Sequence, residues 1–220
     1  MIIEKKERNR VYGELLSEQI HPFKDDYEEF VILRNTYYSA IREISTKLEI
    51  LDDEFHVRYD YSPIHHMERR LKSPKSLFEK MERRGLDLTL ESVKKITDVA
   101  GIRVICNYVD DVYAVADMLM KQDDLKLIRR SDYIKEPKPS GYRSLHLVVE
   151  VPVFLTDKTE YVPVEIQFRT IAMDTWASLE HELKYKRREK ITEEIEQELI
   201  ICAEAMAAVD RKMERIHKIL

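Results

Sequence analysis

The sequence predicts an α/β (α+β) fold, in which a mixed β-sheet is flanked by helices and long helices lie near both ends of the chain. Three patterns predict this class. Residues 27–55 carry apolar side chains at helical spacing, residues 101–169 contain several β-branched runs, and residues 192–220 repeat apolar positions in heptads. A sheet-forming central section between two long helices follows from these patterns together.

Length and composition indicate one globular domain. The 220 residues are 44% hydrophobic and 36% charged, and they include only four glycines and seven prolines, so long flexible linkers are not expected. The single domain would span residues 1–220, with an N-terminal helical region (1–60), a core (62–190) and a C-terminal helix (191–220).

The composition also argues against several classes of protein. No apolar run reaches the roughly 18 residues that span a bilayer, and the N-terminus lacks the apolar stretch of a signal peptide, so we expect a cytoplasmic location and no membrane partner. Cys106 and Cys202 lack metal-ligand spacing, which favours reduced, buried thiols. The net charge of −5 argues against a stable nucleic-acid partner, but nine cations against four acids between Arg69 and Lys95 suggest a small polyanion such as a nucleotide.

The N-terminal half is predicted to be mainly helical. The segment YSPIHHM breaks the long helix of residues 27–55. A second helix then begins after an N-cap at Ser73, with a proline in its first position and Gly85 at its end. A third, short helix is predicted over residues 89–96.

The next section alternates strands and helices. Strands are predicted from apolar and β-branched runs bounded by turn residues, and helices from apolar positions three and four apart. In chain order the predicted elements are a strand at 101–109, a helix at 110–121, a strand or extended loop at 125–133, a strand at 142–151, a hairpin loop at 154–161, a strand at 161–169 and a helix at 170–186.

Residues 192–220 are predicted to form the most regular helix. Its apolar positions alternate spacings of four and three residues, which is the a/d pattern of a coiled coil. Such a helix either packs on its own domain or forms a subunit interface, and the pattern favours neither. The heptad positions are Ile195, Leu199, Cys202, Met206, Val209, Met213, Ile216 and Leu220.

Two of the predicted strands carry polar side chains on one face. A half-solvated strand would explain either pattern alone, and a rim tyrosine or a core histidine would explain the single residues. Their occurrence together favours a site, in which a tyrosine at the mouth of a strand can stack on a planar base. The polar residues are Glu165, Gln167 and Arg169 on one strand and Tyr142, Ser144 and His146 on the other.

Asp98 precedes the strand of residues 101–109, where an unpaired carboxylate would be costly. Together with Glu165 it would supply two hard oxygen ligands, which suit Mg²⁺ shared with substrate phosphates. An ion pair between Asp98 and Arg103, or an N-cap role, would also explain the residue.

The helix after Ser73 carries Ser76, Lys80 and Arg83 on one face, and Arg70 and Lys72 lie just before it. A helix N-terminus with a hydroxyl group and several cations is a surface that binds phosphate. A solvated face laced with ion pairs would also explain these charges.

Four stretches are SPKSLFEKMERRG (73–85), DVAGIRVIC (98–106), YIKEPKPSGYRSLH (133–146) and VEIQFRTIAMDTWASLEHELKYK (164–186). In that order they resemble the synthetase motifs of the Rel-type stringent-response enzymes, most closely the stand-alone small alarmone synthetases. The resemblance covers about residues 62–190, and the combination of motifs is far more specific than any one of them.

The resemblance implies a nucleotidyltransferase-like mixed sheet of about five strands flanked by helices, often in a homotetramer. It implies a GTP pyrophosphokinase of the stringent response. Such an enzyme needs Mg²⁺ and transfers the β,γ-pyrophosphoryl group of ATP to the 3′-hydroxyl of GDP or GTP, which gives ppGpp or pppGpp and AMP.

The resemblance also implies a role for each candidate residue. Asp98 and Glu165 would be the catalytic pair that holds Mg²⁺, with Glu165 placed to activate the 3′-hydroxyl. Arg70 and Arg103 would enclose the adenine ring, and Tyr142 would stack on guanine. The residues that would bind ATP are Arg70, Lys72, Ser76, Lys80, Arg83 and Arg103, and those that would bind GTP or GDP are Lys138, Tyr142, His146, Gln167 and Asp174.

Two positions depart from the family pattern, and two other functions stay open. Asp174 stands where many relatives carry Asn; it can still accept hydrogen bonds from guanine. Ser131 stands where some relatives carry a cation, for which Arg129 or Arg130 would compensate.

The same transfer could use an adenine nucleotide or the 3′ end of a tRNA as acceptor. The chain could instead be a non-catalytic oligomeric scaffold that binds guanine nucleotides or RNA, which the two carboxylates disfavour.

Overall fold

A computed structural model describes residues 26–186 and 192–219. Its helices are α1 (Tyr27–Tyr59), α2 (Pro74–Arg83), α3 (Leu90–Lys94), α4 (Val109–Leu119), α5 (Ile171–Lys186) and α6 (Glu193–His217). Its strands are β1 (Ile64–Leu71), β2 (Ala100–Cys106), β3 (Lys126–Asp132), β4 (Leu145–Phe154) and β5 (Thr159–Thr170). Within these residues no helix is long and apolar enough to cross a membrane.

The five strands form one mixed sheet in the order β1-β2-β5-β4-β3. Strands β2 and β5 are parallel, and the other neighbouring pairs are antiparallel. Helix α1 packs on the sheet against β2, β4 and β5. A mixed five-stranded sheet flanked by helices confirms the predicted fold class.

The alternation of β5 decides which face of the sheet is buried. Val162, Val164, Ile166 and Phe168 are at most 5% exposed and join a core that includes Phe30 of α1. Burying such side chains stabilises the fold by roughly 1.5–3 kcal/mol each. The residues between them therefore point to the opposite face of the sheet, as predicted.

Helix α2 begins and ends where the sequence predicts. The Ser73 hydroxyl accepts a hydrogen bond from the backbone N–H of Ser76 at 3.3 Å, so Ser73 is the N-cap. Gly85 follows the helix with a φ of +63°, a conformation that side chains with a Cβ disfavour. Helices α1, α3, α4 and α5 and strand β3 also lie within a few residues of their predicted bounds.

Strand β1 was not predicted, because the sequence of Ile64–Leu71 was interpreted as a break followed by loop cations. It is the outermost strand of the sheet, and of its eight residues only Ile64 is buried. An edge strand with so few buried positions shows no alternation of apolar and polar residues. Its pairing with β2 places Arg70 opposite Gly101.

The prediction for the start of β4 was also wrong, because the strand begins at Leu145 rather than Tyr142. Gly141 has a φ of +89°, and residues 141–144 lead into the strand without belonging to it. Ser144 is consequently buried and donates a hydrogen bond to the Phe168 carbonyl at 3.0 Å. It does not share the polar face of Tyr142 and His146.

Helix α6 packs on α5 through small residues. Ala203 and Ala207 are buried, and Trp176 of α5 donates from Nε1 to the Leu199 carbonyl at 2.8 Å. The Thr170 hydroxyl also donates to Asp210 at 2.7 Å. One face of α6 is therefore part of the domain.

The heptad positions of α6 lie mostly outside that packed face. Ile195, Val209, Met213 and Ile216 are between 41% and 50% exposed. Cys202 is an exposed free thiol, so the prediction that it is buried was wrong, whereas Cys106 is buried as predicted. Leu220, like the residues before Asp26 and those between α5 and Thr192, lies outside the described part of the chain.

Candidate active site

The predicted catalytic residues line one cavity of about 320 Å³ beside β1, β2 and β5. Its walls bring together Arg70, Lys72, Asp98, Arg103, Glu165 and Gln167. A larger groove of about 800 Å³ lies elsewhere, between α1, α3 and the β4–β5 hairpin, and none of the predicted site residues lines it. We therefore take the smaller cavity as the candidate site, because the predicted site residues line it, although the other groove is larger.

Asp98 lies just before β2 and is neutralised by two lysines. Its Oδ2 accepts from Lys80 Nζ at 2.5 Å and is 3.3 Å from Lys72 Nζ. Burial alone would raise the pKa of Asp98, but the two ammonium groups outweigh it and hold the pKa below its usual range. Its Oδ1 is buried and has no hydrogen-bond partner among the described residues, so one carboxylate oxygen of Asp98 is unsatisfied.

Lys72 is held in place through its backbone. Its N–H donates to the Val99 carbonyl at 2.9 Å, and its carbonyl accepts from Arg34 Nη1 of α1 at 2.7 Å. Burial lowers the pKa of the Lys72 side chain, and Asp98 offsets part of that effect. The lysine is thus a half-buried cation whose present partner is a carboxylate.

Arg103 on β2 reaches carboxylates on both sides of the cavity. Its Nη1 donates to Glu68 of β1 at 2.8 Å and lies 3.4 Å from Asp174 Oδ1 of α5. The guanidinium therefore pairs with Glu68 and Asp174, while Asp98 pairs with lysines, so the predicted alternative of an Asp98–Arg103 ion pair was wrong.

Glu165 lies in the middle of the site, opposite Gly101 of the neighbouring strand β2. Its Oε2 accepts from Gln167 Nε2 at 2.9 Å. Its Oε1 is 3.8 Å from Arg129 Nη2 and 3.9 Å from His146 Nδ1, so that oxygen has cationic or polar neighbours without a short bond to either.

A second group of predicted residues surrounds Tyr142. The Tyr142 hydroxyl lies 2.8 Å from His146 Nε2 and accepts from Arg169 Nη2 at 2.7 Å. Lys138 Nζ lies over the Tyr142 ring, 4.8 Å from its centroid, and over the ring of Tyr133 at 4.5 Å. An aromatic face with a cation above it is suited to a planar, anionic ligand such as a nucleotide.

His146 is a neutral histidine in this setting. Burial, followed by the charges of Arg169, Lys138 and Arg129, lowers its pKa to about 3. Since Arg169 donates to the Tyr142 oxygen, the phenolic proton is free to point at His146 Nε2. His146 Nδ1 then carries the ring proton, and this nitrogen is the one nearest Glu165.

Of the predicted ATP-binding residues, Ser76, Lys80 and Arg83 do not line the cavity, and only Lys80 of these three reaches Asp98. The Ser76 hydroxyl accepts from the Ser73 hydroxyl at 3.0 Å, and exposed Arg83 donates from Nε to the Glu79 carbonyl on its own helix. Ser131 pairs with His146 across the β3–β4 ladder. Of the two neighbouring arginines, Arg129 lies near Glu165, whereas Arg130 donates to Asp117.

Two residues that contact the predicted site residues have no role predicted from the sequence. Arg169 is only 5% exposed and contacts Tyr142, Gln167 and Asp174. Its place on the polar face of β5 was the available signal. Glu68 pairs with Arg103, but it lies on the unpredicted strand β1, so no pattern pointed to it.

Comparisons with known proteins identify the family of the chain. Residues 69–190 match the model of a family described as a region found in RelA / SpoT proteins. A GTP pyrophosphokinase, YwaC of Bacillus subtilis, is 43% identical over 183 residues, which are 83% of this chain and 87% of that protein.

The fold of this chain is also similar to the solved structures of two small alarmone synthetases. Small alarmone synthetase 2 from Bacillus subtilis gives a TM-score of 0.78 at 41% identity, over 85% of this chain and 98% of that one. Small alarmone synthetase 1 from the same organism, bound to its product pppGpp, gives 0.80 at 35% identity, over 90% of this chain and 99% of that one.

A mixed sheet that places two carboxylates among clustered cations defines the kind of site, and the matches give the family. The chain belongs to the RelA/SpoT family. Within that family it groups with the small alarmone synthetases, as the resemblance of its motifs predicted.

Proposed function

We propose that this chain is a (p)ppGpp synthetase, which transfers the β,γ-pyrophosphoryl group of ATP to the 3′-hydroxyl of GDP or GTP and releases AMP. The position of Glu165 carries the proposal. It lines the cavity that holds Asp98 and the cations, and it also lies beside Gln167 and His146 of the group around Tyr142. A transfer between two nucleotides requires a general base that lies between the part of the site that binds phosphates and the part in which a nucleobase can stack.

The half of the site around Asp98 would bind ATP. Lys72 and Lys80 would exchange part of their contact with Asp98 for the ATP phosphates, because ammonium groups bind phosphate as readily as carboxylate. Arg70 and Arg103 would enclose the adenine ring. The outward position of Arg83 would let it reach phosphate only at the rim of the site.

The half of the site around Tyr142 would bind GDP or GTP. Tyr142 would stack on guanine, a contact worth roughly 1–3 kcal/mol per base. Lys138 lies over the same ring and would meet the phosphates of the acceptor. His146 and Gln167 would offer N–H groups, from Nδ1 and Nε2 respectively, towards the ribose.

Glu165 would act as the general base. The 3′-oxygen forms a bond to the β-phosphorus of ATP while its proton passes to a Glu165 oxygen, and the bond between the β-phosphorus and the bridging oxygen to the α-phosphorus breaks. AMP leaves with that electron pair. Gln167 fixes one Glu165 oxygen by its 2.9 Å hydrogen bond, which orients the other towards the space between the two halves.

The carboxylates also suit a magnesium ion. The buried Oδ1 of Asp98 has no partner among the described residues, and an orphaned carboxylate oxygen of this kind matches a hard cation. Asp98 and Glu165 would hold Mg²⁺ together with the phosphates. When bound, the ion would neutralise charge that develops on the phosphate oxygens.

The test is an incubation with γ-labelled ATP and Mg²⁺, with GMP, GDP, GTP, ADP and deacylated tRNA supplied separately. We expect label on GDP or GTP with an equal amount of AMP, and a loss of roughly 10²–10⁴-fold in Glu165→Gln. Glu160→Gln is the matched control, because Glu160 lies on the same strand but pairs with Lys158 outside the cavity.

Other results of this assay would identify the alternatives. Label on ADP or on tRNA would keep the chemistry and overturn the guanine acceptor. An absence of AMP in every mixture, with guanine nucleotides still bound, would leave the non-catalytic scaffold as the function.

We also propose that the exposed heptad face of α6 forms a subunit interface, in a homo-oligomer such as a homotetramer. Val209, Met213 and Ile216 are each about half exposed, whereas the small residues of α6 already pack on its own domain. A continuous apolar face that its own domain leaves uncovered supports a second copy as partner.

Charge reversal tests this interface. Val209→Lys and Met213→Lys should lower the native mass measured by sedimentation, and Glu204→Lys, an exposed charge change elsewhere on α6, should not. Met206 is a poor choice for this test, because it packs against the buried cluster of Trp176, Ala177 and Ala203. An unchanged mass in the Val209 and Met213 variants would contradict the interface.

A further inference from the structure

Arg169 is a buried arginine that the proposed transfer does not use directly. Its guanidinium is almost completely shielded from solvent at the end of β5. It donates from Nη1 to Asp174 Oδ1 at 2.9 Å and from Nη2 to the Tyr142 hydroxyl at 2.7 Å and to Gln167 Oε1 at 3.1 Å. Its Nε is buried without a hydrogen-bond partner among the described residues, so the two Nη groups make all of these hydrogen bonds and set the plane of the guanidinium.

The carboxylate of Asp174 joins Arg169 to the opposite half of the site. The same Oδ1 that accepts from Arg169 lies 3.4 Å from Arg103 Nη1. Arg103 is the cation that would lie against adenine, and its Nε is buried without a partner. The orientation of the Arg103 plane therefore depends on Asp174 and on Glu68.

Arg169 also determines how the other half of the site is arranged. By donating to the phenolic oxygen, it directs the Tyr142 proton towards His146 Nε2 and fixes the plane of the tyrosine ring. The guanidinium further lies 5.1 Å from the centroid of that ring. One arginine thus orients both the aromatic face for the acceptor base and the tautomer of the neighbouring histidine.

We propose that Arg169 and Asp174 are positioning residues that couple the ATP half of the site to the acceptor half. Adenine bound against Arg103 would hold Asp174 in place, Asp174 would hold Arg169, and Arg169 would hold the Tyr142 ring ready for guanine. This inference rests on the proposed function for the identity of the two ligands. Because coupling between two binding sites is reciprocal, the acceptor must strengthen the binding of ATP by the same factor.

The contact geometry explains why other residues would not replace the pair. A lysine at position 169 would present a single ammonium group, which cannot serve the phenol and the carboxylate with the fixed fork of a guanidinium. An asparagine at position 174 would keep one acceptor oxygen but lose the charge that holds two arginines. Asp174→Asn is also the milder change, because the amide has nearly the same shape as the carboxylate.

Binding, rather than turnover, provides the decisive measurement. The affinity of an α,β-methylene analogue of ATP, which cannot be cleaved at the reacting bond, is measured by titration calorimetry with Mg²⁺, without and with saturating GDP. We expect GDP to tighten the analogue at least about fivefold in the unaltered protein, and this factor to fall towards one in Arg169→Lys and Asp174→Asn. Arg58→Lys is the control, since Arg58 forms only an exposed ion pair with Glu54 on α1.

A purely structural role would weaken both ligands without removing the coupling, and that outcome would overturn the proposal, as would the absence of coupling in the unaltered protein. If Arg169→Lys does not fold, Asp174→Asn and Tyr142→Phe, which loses only the hydroxyl that Arg169 holds, decide the question. AMP release is measured separately. Coupling between the two ligands without AMP release would support the role of Arg169 and Asp174 and would refute the transfer reaction instead.

Discussion

Adding one methyl group at Gly141 should damage the acceptor half of the site in a measurable way. Gly141 has a φ of +89°, and a Cβ built on it would lie 2.7 Å from the Ala203 Cβ and 3.5 Å from the Ile200 Cα, both on α6. Neither atom belongs to a flexible side chain, so the segment before Tyr142 or the helix itself must move. Gly85 provides the comparison, because its φ is +63° but no atom lies within 4 Å of a Cβ built there.

The difference between the two glycines separates backbone strain from steric overlap. A left-handed conformation costs a residue with a Cβ roughly 1–2 kcal/mol, and this cost should apply to Gly85→Ala and to Gly141→Ala. Overpacking adds roughly 1–3 kcal/mol, and it applies to Gly141 alone. We therefore expect about 1–2 kcal/mol of lost stability for Gly85→Ala and about 2–5 kcal/mol for Gly141→Ala.

Urea unfolding at one fixed protein concentration measures both losses, since an oligomer adds a concentration dependence to stability. Ala203→Gly should rescue Gly141→Ala, so that the double variant is about 1–3 kcal/mol more stable than the sum of the single changes predicts. Gly141→Ala should also raise the KM for GDP, because Tyr142 follows directly. Equal losses at the two glycines, or strict additivity with Ala203→Gly, would refute the steric argument.

Three further outcomes are expected. Because the pKa of His146 is lowered to about 3, the unfolded chain gains a proton between pH 8 and pH 5 that the folded chain does not. The free energy of unfolding should therefore fall by about 2 kcal/mol more in the unaltered protein than in His146→Gln over that interval. Urea titration at both pH values measures the difference. Mg²⁺ alone should shift the thermal midpoint little, because two lysines neutralise the Asp98 carboxylate. Mg²⁺ with the α,β-methylene analogue should raise the midpoint, and Asp98→Asn should abolish that increment. Lys80→Met should raise the KM for ATP about 10–100-fold with little change in the KM for GDP, because hydrogen bonds to charged groups contribute about 1.5–3 kcal/mol. Lys75→Met, at an exposed position of the same helix, should change neither KM.

The local signals in the sequence were reliable where one face of an element is buried. The alternation along β5 placed Glu165 and Gln167 on the polar face, because a strand that buries one face must expose the other. The cap at Ser73 fixed the start of α2 in the same way, through a hydroxyl group that must satisfy a free N–H. Both predictions depended only on residues adjacent in the chain.

The errors in the fold arose where distant residues decide the local structure. Strand β1 exists because it pairs with β2, and its exposed sequence carries no sign of that partner. The strand assignment at Tyr142–Ser144 failed because Gly141 turns the chain against α6, some 60 residues later in the sequence. Neither contact could be predicted from spacing.

The same limit applied to the site. The sequence showed Arg169 on the face of Glu165, but its partner Asp174 lies on a helix whose orientation depends on the packing of α5 against α6. Resemblance to the family supplied the individual candidate residues. It did not supply the way in which one carboxylate, Asp174, serves arginines from two strands.

Under the proposed function, the nucleotides would compete with two carboxylates for four cations of the site. Asp98 neutralises Lys72 and Lys80, and Asp174 neutralises Arg103 and Arg169, so the cations are already paired before a nucleotide is present. Phosphates that take the lysines would leave both Asp98 oxygens, rather than Oδ1 alone, without a partner, and the uncompensated carboxylate would then favour a metal ion. Under the proposed function, Mg²⁺ would therefore bind more tightly together with ATP than alone, and an acidic chain could hold two polyanions without a strongly basic surface.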